Sequence, residues 1–121
     1  MLDLNSLMVC SEDPKSLSDF YADILGKSTF ENEGYIGWQV GSGWFVIGPH
    51  SDVKGKNEVP GRIMWNFETP DVKDEFKRIK GLGVKVVQEP YQPGDGDEMW
   101  MATFEDVDGN YFQLASPMAA E

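Results

Sequence analysis

The chain has 121 residues, 40% of them apolar and 26% charged, which suits one soluble globular domain with a real core. Its formal charge of −11, from 10 basic and 21 acidic residues, argues against nucleic acid or an anionic membrane as a partner. Arg62 and Arg78 are its only arginines, so few bidentate donors exist to clamp a phosphate or polycarboxylate. No apolar run approaches the ~18 residues of a membrane span, and Met1 to Asn5 do not open like a secretory leader. The lone Cys10 can form no internal disulfide, which fits a reducing, cytoplasmic setting.

In chain order, Leu4–Cys10 reads as a strand. Asp13-Pro14 then opens a helix, with Asp at the N-cap and Pro at the first helical position. Leu17, Phe20, Tyr21, Ile24 and Leu25 follow at helical spacing, and Gly26 ends it. Strands are expected at Ser28–Asn32, Ile36–Val40 and Trp44–Gly48, with a hairpin turn at Gly41-Ser42-Gly43. A linker covers residues 51–61. Arg62–Glu68 is the next strand, and Thr69-Pro70-Asp71 starts a second helix. Its stripe is Val72, Phe76 and Ile79, with Leu82 just beyond, and Gly81 and Gly83 stop it. Strands at Lys85–Glu89, Met99–Phe104 and Tyr111–Ala115 complete the chain. The last two are joined by an Asp108-Gly109 turn.

This order is an internal repeat. Asp13 to Asp71 is an offset of 58, which sets Ser6 against Met64. Trp44-Phe45-Val46-Ile47 against Tyr111-Phe112-Gln113-Leu114 gives 67, the growth coming from the longer second-half connection, Tyr91 to Glu98. Two βαβββ modules follow, spanning residues 1–50 and 62–118 of a single 121-residue domain. Because strand side chains alternate, each strand splits into two faces. Leu7, Val9, Phe45, Ile47, Trp65, Phe67, Phe112 and Leu114 form a large apolar face suited to lie under helices. Ser6, Met8, Cys10, Trp44, Val46, Gly48, Met64, Asn66, Glu68, Tyr111, Gln113 and Ala115 form a mixed face suited to line a cavity. The expected class is α+β, a cup-shaped mixed sheet with the helices on its outer face.

The repeat, the helix end Phe20-Tyr21-(x)3-Leu25-Gly26 and the hairpin Phe104-Glu105-Asp106-Val107-Asp108-Gly109-Asn110-Tyr111-Phe112-Gln113-Leu114 together resemble the glyoxalase/bleomycin-resistance proteins. These form the vicinal oxygen chelate superfamily. The resemblance covers nearly the whole chain and implies paired βαβββ modules, in a homodimer. Metal-dependent members hold a divalent ion on His, Gln or Glu, one near the start of each module and one in each last strand. Those places fall here on Ser6, Val46, Met64 and Gln113, and where Gln113 stands a Glu is usual. Ser, Val and Met are poor ligands for such ions. The resemblance with this substitution implies no metal and no cofactor.

Several residues carry two readings. His50, the only histidine, is either a base or contact at a pocket mouth or a solvated residue capping a turn with Ser51 or Asp52. Glu68 is either a desolvated base or a strand-end residue supporting the second helix. Asn66 aims its amide at a ligand or at a neighbouring backbone. Gln113 can orient a ligand by hydrogen bonds, and Ser6 and Met64 can line the same pocket. Cys10 has no catalytic partner nearby in sequence and reads as a small buried hydrophobe. Trp44 and Tyr111, at equivalent places in the halves, suit flat walls around a planar ligand. The acidic loop Pro93–Glu98 reads as solvated, or as a lid, and lacks the spacing of a calcium loop.

The sequence thus points to a metal-independent small-molecule-binding protein. Its expected binding residues are Ser6, Trp44, His50, Met64, Asn66, Glu68, Tyr111 and Gln113. The rival is a glyoxalase-like lyase, isomerase or dioxygenase whose metal sits on a rearranged set including Gln113, Glu68 and His50. A third class is an interaction module with a vestigial pocket.

Overall fold

A computed structural model of the chain describes residues 1–94 and 98–117. It divides into two compact units, Met1–Lys56 and Asn57–Glu121, each built as βαβββ. The first contains β1 (Ser6–Ser11), α1 (Pro14–Leu25), β2 (Phe30–Asn32), β3 (Tyr35–Val40) and β4 (Gly43–Pro49). The second contains β5 (Trp65–Glu68), α2 (Val72–Gly81), β6 (Lys85–Tyr91), β7 (Met101–Glu105) and β8 (Tyr111–Ala115). Each unit makes its own four-stranded mixed sheet, ordered β1-β4-β3-β2 and β5-β8-β7-β6. The first and last strands of each unit pair in parallel, and the other pairs are antiparallel.

The helix starts follow from their caps. The Asp13 carboxylate accepts the Ser16 N–H at 3.3 Å and that of Asp71 accepts the Asp74 N–H at 3.1 Å, satisfying donors the first turn would leave open. Gly26 takes φ +88 beyond α1 while its N–H reaches the Ala22 carbonyl at 2.9 Å. In α1 the buried stripe is Leu17, Tyr21 and Ile24, and in α2 it is Val72, Phe76 and Ile79. Leu82, expected just beyond that stripe, follows the helix end and is half exposed.

Each helix lies on the apolar sheet face. In the first unit Tyr21 meets Phe45 edge-on at 4.8 Å, and Trp38 packs behind Phe45. In the second, Phe76, Phe104 and Phe112 form a stack with centroids 5.2 and 5.5 Å apart, closed by Phe67. Full burial of such rings supplies about 1.5–3 kcal/mol each.

Strands β1, β2 and β7 each start two residues later than expected, and β5 shows the largest shift, three residues. The run Arg62–Glu68 is a paired strand only from Trp65: Pro60-Gly61-Arg62 turns as a 3-10 segment, and Ile63, though extended, lies before the ladder. Pro60 fixes the first φ of that turn, and the ladder with β8 begins at Trp65 opposite Phe112. Met64 therefore precedes its strand. The acidic loop Pro93–Glu98 includes residues 95–97, which lie outside the described residues. Among those described, no helix is long and apolar enough to cross a membrane.

Candidate functional site

The face of each sheet turned away from its helix carries six of the residues expected to bind: Ser6 and Trp44 in the first unit, and Asn66, Glu68, Tyr111 and Gln113 in the second. On the first sheet, Met8 pairs with Val46, Val46 with Gly37, and Gly37 with Phe30, so these four form one row across the strands. Beside it runs Ser6, opposite Trp44, which is opposite Gln39. The Trp44 ring leans on Phe30 with centroids 5.8 Å apart. The Phe30 ring lies directly over Gly37, where a Cβ would collide with it, and the Tyr35 ring lies over Gly48 in the same way. Met8 is 56% exposed and Phe30 37%, so this aromatic floor is open rather than sealed. Cys10, expected to be buried, is only partly so, and it sits opposite Gly48.

Phe30 and Tyr35 were not among the expected site residues. The sequence shows only half of the signal, a glycine inside a strand that leaves room for a ring; which aromatic fills it is set by register.

The second sheet presents different chemistry. Asn66 pairs with Gln113 and Gln113 with Thr103, giving a polar row where the first sheet has an apolar one. Gln113 is 7% exposed, and its Nε2 donates to Thr103 Oγ1 at 3.0 Å. That bond fixes the amide, with the Oε1 end left to receive a donor. Asn66 and Glu68 are exposed, and Tyr111 is half-buried opposite Glu105. Glu68 ends its strand opposite Ala115, whose carbonyl accepts the next N–H, that of Thr69. Met64 is 40% exposed.

His50 is exposed in the loop after β4, where its Nδ1 accepts the Asp52 N–H at 3.1 Å and the Asp52 carboxylate stands 3.9 Å away. An acceptor at Nδ1 places the imidazole proton on Nε2 while the ring is neutral. Among the described residues no group of three or more His, Cys, Asp or Glu is gathered to hold a metal. Of Ser6, Val46, Met64 and Gln113, the four residues expected at ligand positions, only Gln113 carries a usual ligand atom, its amide oxygen.

The turn before β8 is held by a network of hydrogen bonds. Asp106, 5% exposed, accepts the N–H groups of Asp108 and Asn110 at 2.9 Å each through Oδ1, and Asn110 Nδ2 at 3.1 Å through Oδ2. Gly109 supplies φ +82, which a side chain rarely tolerates. Asn110 in turn accepts from Asn57 Nδ2 at 3.0 Å, and the Asn57 N–H reaches the Asp108 carbonyl at 2.8 Å. The hairpin turn thus also fastens the segment that enters the second unit.

A family model described as "Glyoxalase-like domain" matches residues 6–115. The chain belongs to the glyoxalase-like domain family. It shares its fold with a glyoxalase/bleomycin resistance protein/dioxygenase from Nocardioides, at 12% identity and TM-score 0.76 over 100% of this chain and 87% of that one. A glyoxalase/bleomycin resistance protein/dioxygenase family enzyme from Burkholderia phytofirmans gives 16% and 0.74, covering 97% and 100%. An integron cassette protein from V. cholerae gives 22% and 0.73, covering 98% and 97%. At these identities the likeness establishes the fold alone, and no curated protein matches.

Proposed function

We propose that this glyoxalase-like protein binds a small molecule without a metal, on the sheet faces turned away from the helices. The observation that carries the reading is the amide of Gln113. It stands at a metal-ligand place, yet it is bonded to Thr103 in a row of amide and hydroxyl groups. Its counterparts Ser6, Val46 and Met64 offer no carboxylate or imidazole. A buried amide held by a neighbouring hydroxyl suits hydrogen bonding to a neutral ligand.

Each sheet face offers its own contacts: Trp44, leaning on Phe30, is a flat wall on the first sheet, and separately Gln113 with Asn66 is a polar row on the second. Ser6, Met64, Glu68, Tyr111 and His50 are the further contacts of this reading. A homodimer in the cytoplasm belongs to it as well.

Intrinsic tryptophan fluorescence with a chelator present tests it against a library of planar small molecules. The expected result is saturable quenching, with Trp44→Leu removing the signal of a ligand on the first sheet and Gln113→Ala weakening a ligand on the second. Binding or turnover that appears only after Zn, Ni, Mn or Fe is added would instead establish the metal-dependent lyase, isomerase or dioxygenase.

A further inference from the structure

The segment Asn57–Ile63, at the entrance to the second unit, lines an open depression of about 360 Å³ with Asn57, Glu58, Val59, Arg62 and Ile63. That volume lies within the ~300–1,000 Å³ range of small-ligand sites. Nothing in the glyoxalase-like reading accounts for it.

The segment is held in place before any ligand arrives. The Asn57 N–H and Nδ2 are bonded to the hairpin turn, its Oδ1 accepts the Val59 N–H at 3.0 Å, and the Arg62 N–H closes the 3-10 turn on the Val59 carbonyl at 3.1 Å. Asn57 is therefore a committed wall. Recognition falls to the other four side chains.

Two of them are charged and opposite in sign. No ion pair joins the Arg62 guanidinium to Glu58 or to any other described carboxylate, although acidic residues outnumber basic ones by 21 to 10. The other two are apolar and exposed, Val59 at 53% and Ile63 at 62%. A simple carboxylate would satisfy Arg62 but meet the charge of Glu58. A simple amine would face the converse. A molecule carrying both charges on neighbouring atoms, with an apolar group beside them, satisfies all four side chains at once.

We propose that this depression binds a free apolar α-amino acid. Its carboxylate pairs with Arg62, its ammonium with Glu58, and its side chain lies on Val59 and Ile63. The preformed loop lowers the ordering cost of binding.

Amide NMR spectra of the whole chain, titrated with L-leucine, isocaproate, isoamylamine and glycine, test the site. L-leucine is expected to give saturable shifts confined to residues 57–63 and the turn 106–110. The three truncated probes should bind about tenfold more weakly or worse, because each lacks one charge pair or the apolar contact. Arg62→Gln and Glu58→Gln should each weaken leucine about tenfold, with the dispersed signals of the hairpin turn showing that the fold is intact. Equal binding of isocaproate and leucine, indifference to Glu58→Gln or to Arg62→Gln, or no saturable shift would each overturn the proposal. Tryptophan quenching on the first sheet is a separate readout, so either proposal can fail alone.

Discussion

On the first sheet the row Met8, Val46, Gly37, Phe30 is apolar and floored by glycine; the equivalent row on the second, Asn66, Gln113, Thr103, is amide and hydroxyl. The backbones follow one plan, with the same strand order and the same Asp cap on each helix. The helix-facing residues also match in kind, since large apolar side chains are required there in both modules. Divergence is confined to the other face, which packing against the helix does not dictate. A repeated fold thus keeps its core and is free to spend its remaining face on chemistry. Neither of these two rows carries a carboxylate or an imidazole.

The largest expected effect lies in the shared core. Phe104→Ala empties the centre of the second unit's ring stack and should lower stability by about 3–5 kcal/mol, read as a shift in the urea midpoint. A shift below ~1 kcal/mol would mean that the stack is not the core described.

A smaller effect should separate the two open faces. Gly37→Ala drives the Phe30 ring off its seat, at a cost below ~1 kcal/mol because that ring is partly exposed. The tryptophan emission should change nonetheless, through the loss of the Phe30 contact with Trp44. Unchanged emission would place the ring elsewhere.

The smallest effect compares the caps. Where Asp13 caps Ser16, Asp71 caps Asp74. The backbone and side-chain hydrogen bonds from Asp74 hold the Asp71 carboxyl below the ordinary 3.8, while hydrogen bonding and charge from Asp71 raise that of Asp74. Stability from Asp71 is present above 3.8 and lost as pH falls through its lowered value. The contribution of Asp74 runs the other way, present at low pH and lost as pH rises through its raised value. Asp74→Ser, which copies the first module, should therefore gain more stability than the parent on going from pH ~4 to pH ~7. Equal gains would show that the two carboxylates do not interact.

Much of this was legible in the sequence. The helices were readable because caps, stripe and terminal glycine agree within a dozen residues, and β8 was found with its bounds intact. The start of β5 was misplaced because Ile63-Met64-Trp65 is a continuous apolar run, and only the 3-10 turn at Pro60–Arg62 shows where pairing begins. The tie between Asn57 and Asn110 spans 53 positions, and an asparagine in a linker gives no local sign of so distant a partner. The seats of Phe30 and Tyr35 depend on which residues face each other across the ladder, a matter of register rather than composition. The bond from Gln113 to Thr103 needed the β7–β8 pairing to be seen.

Elemental analysis of the purified protein, after incubation with Zn, Ni, Mn and Fe and removal of the excess, tests the central claim most directly. The account predicts retained metal far below one equivalent, the same in the parent and in Gln113→Ala. One equivalent of any of these metals, lost on Gln113→Ala together with an activity, would contradict it.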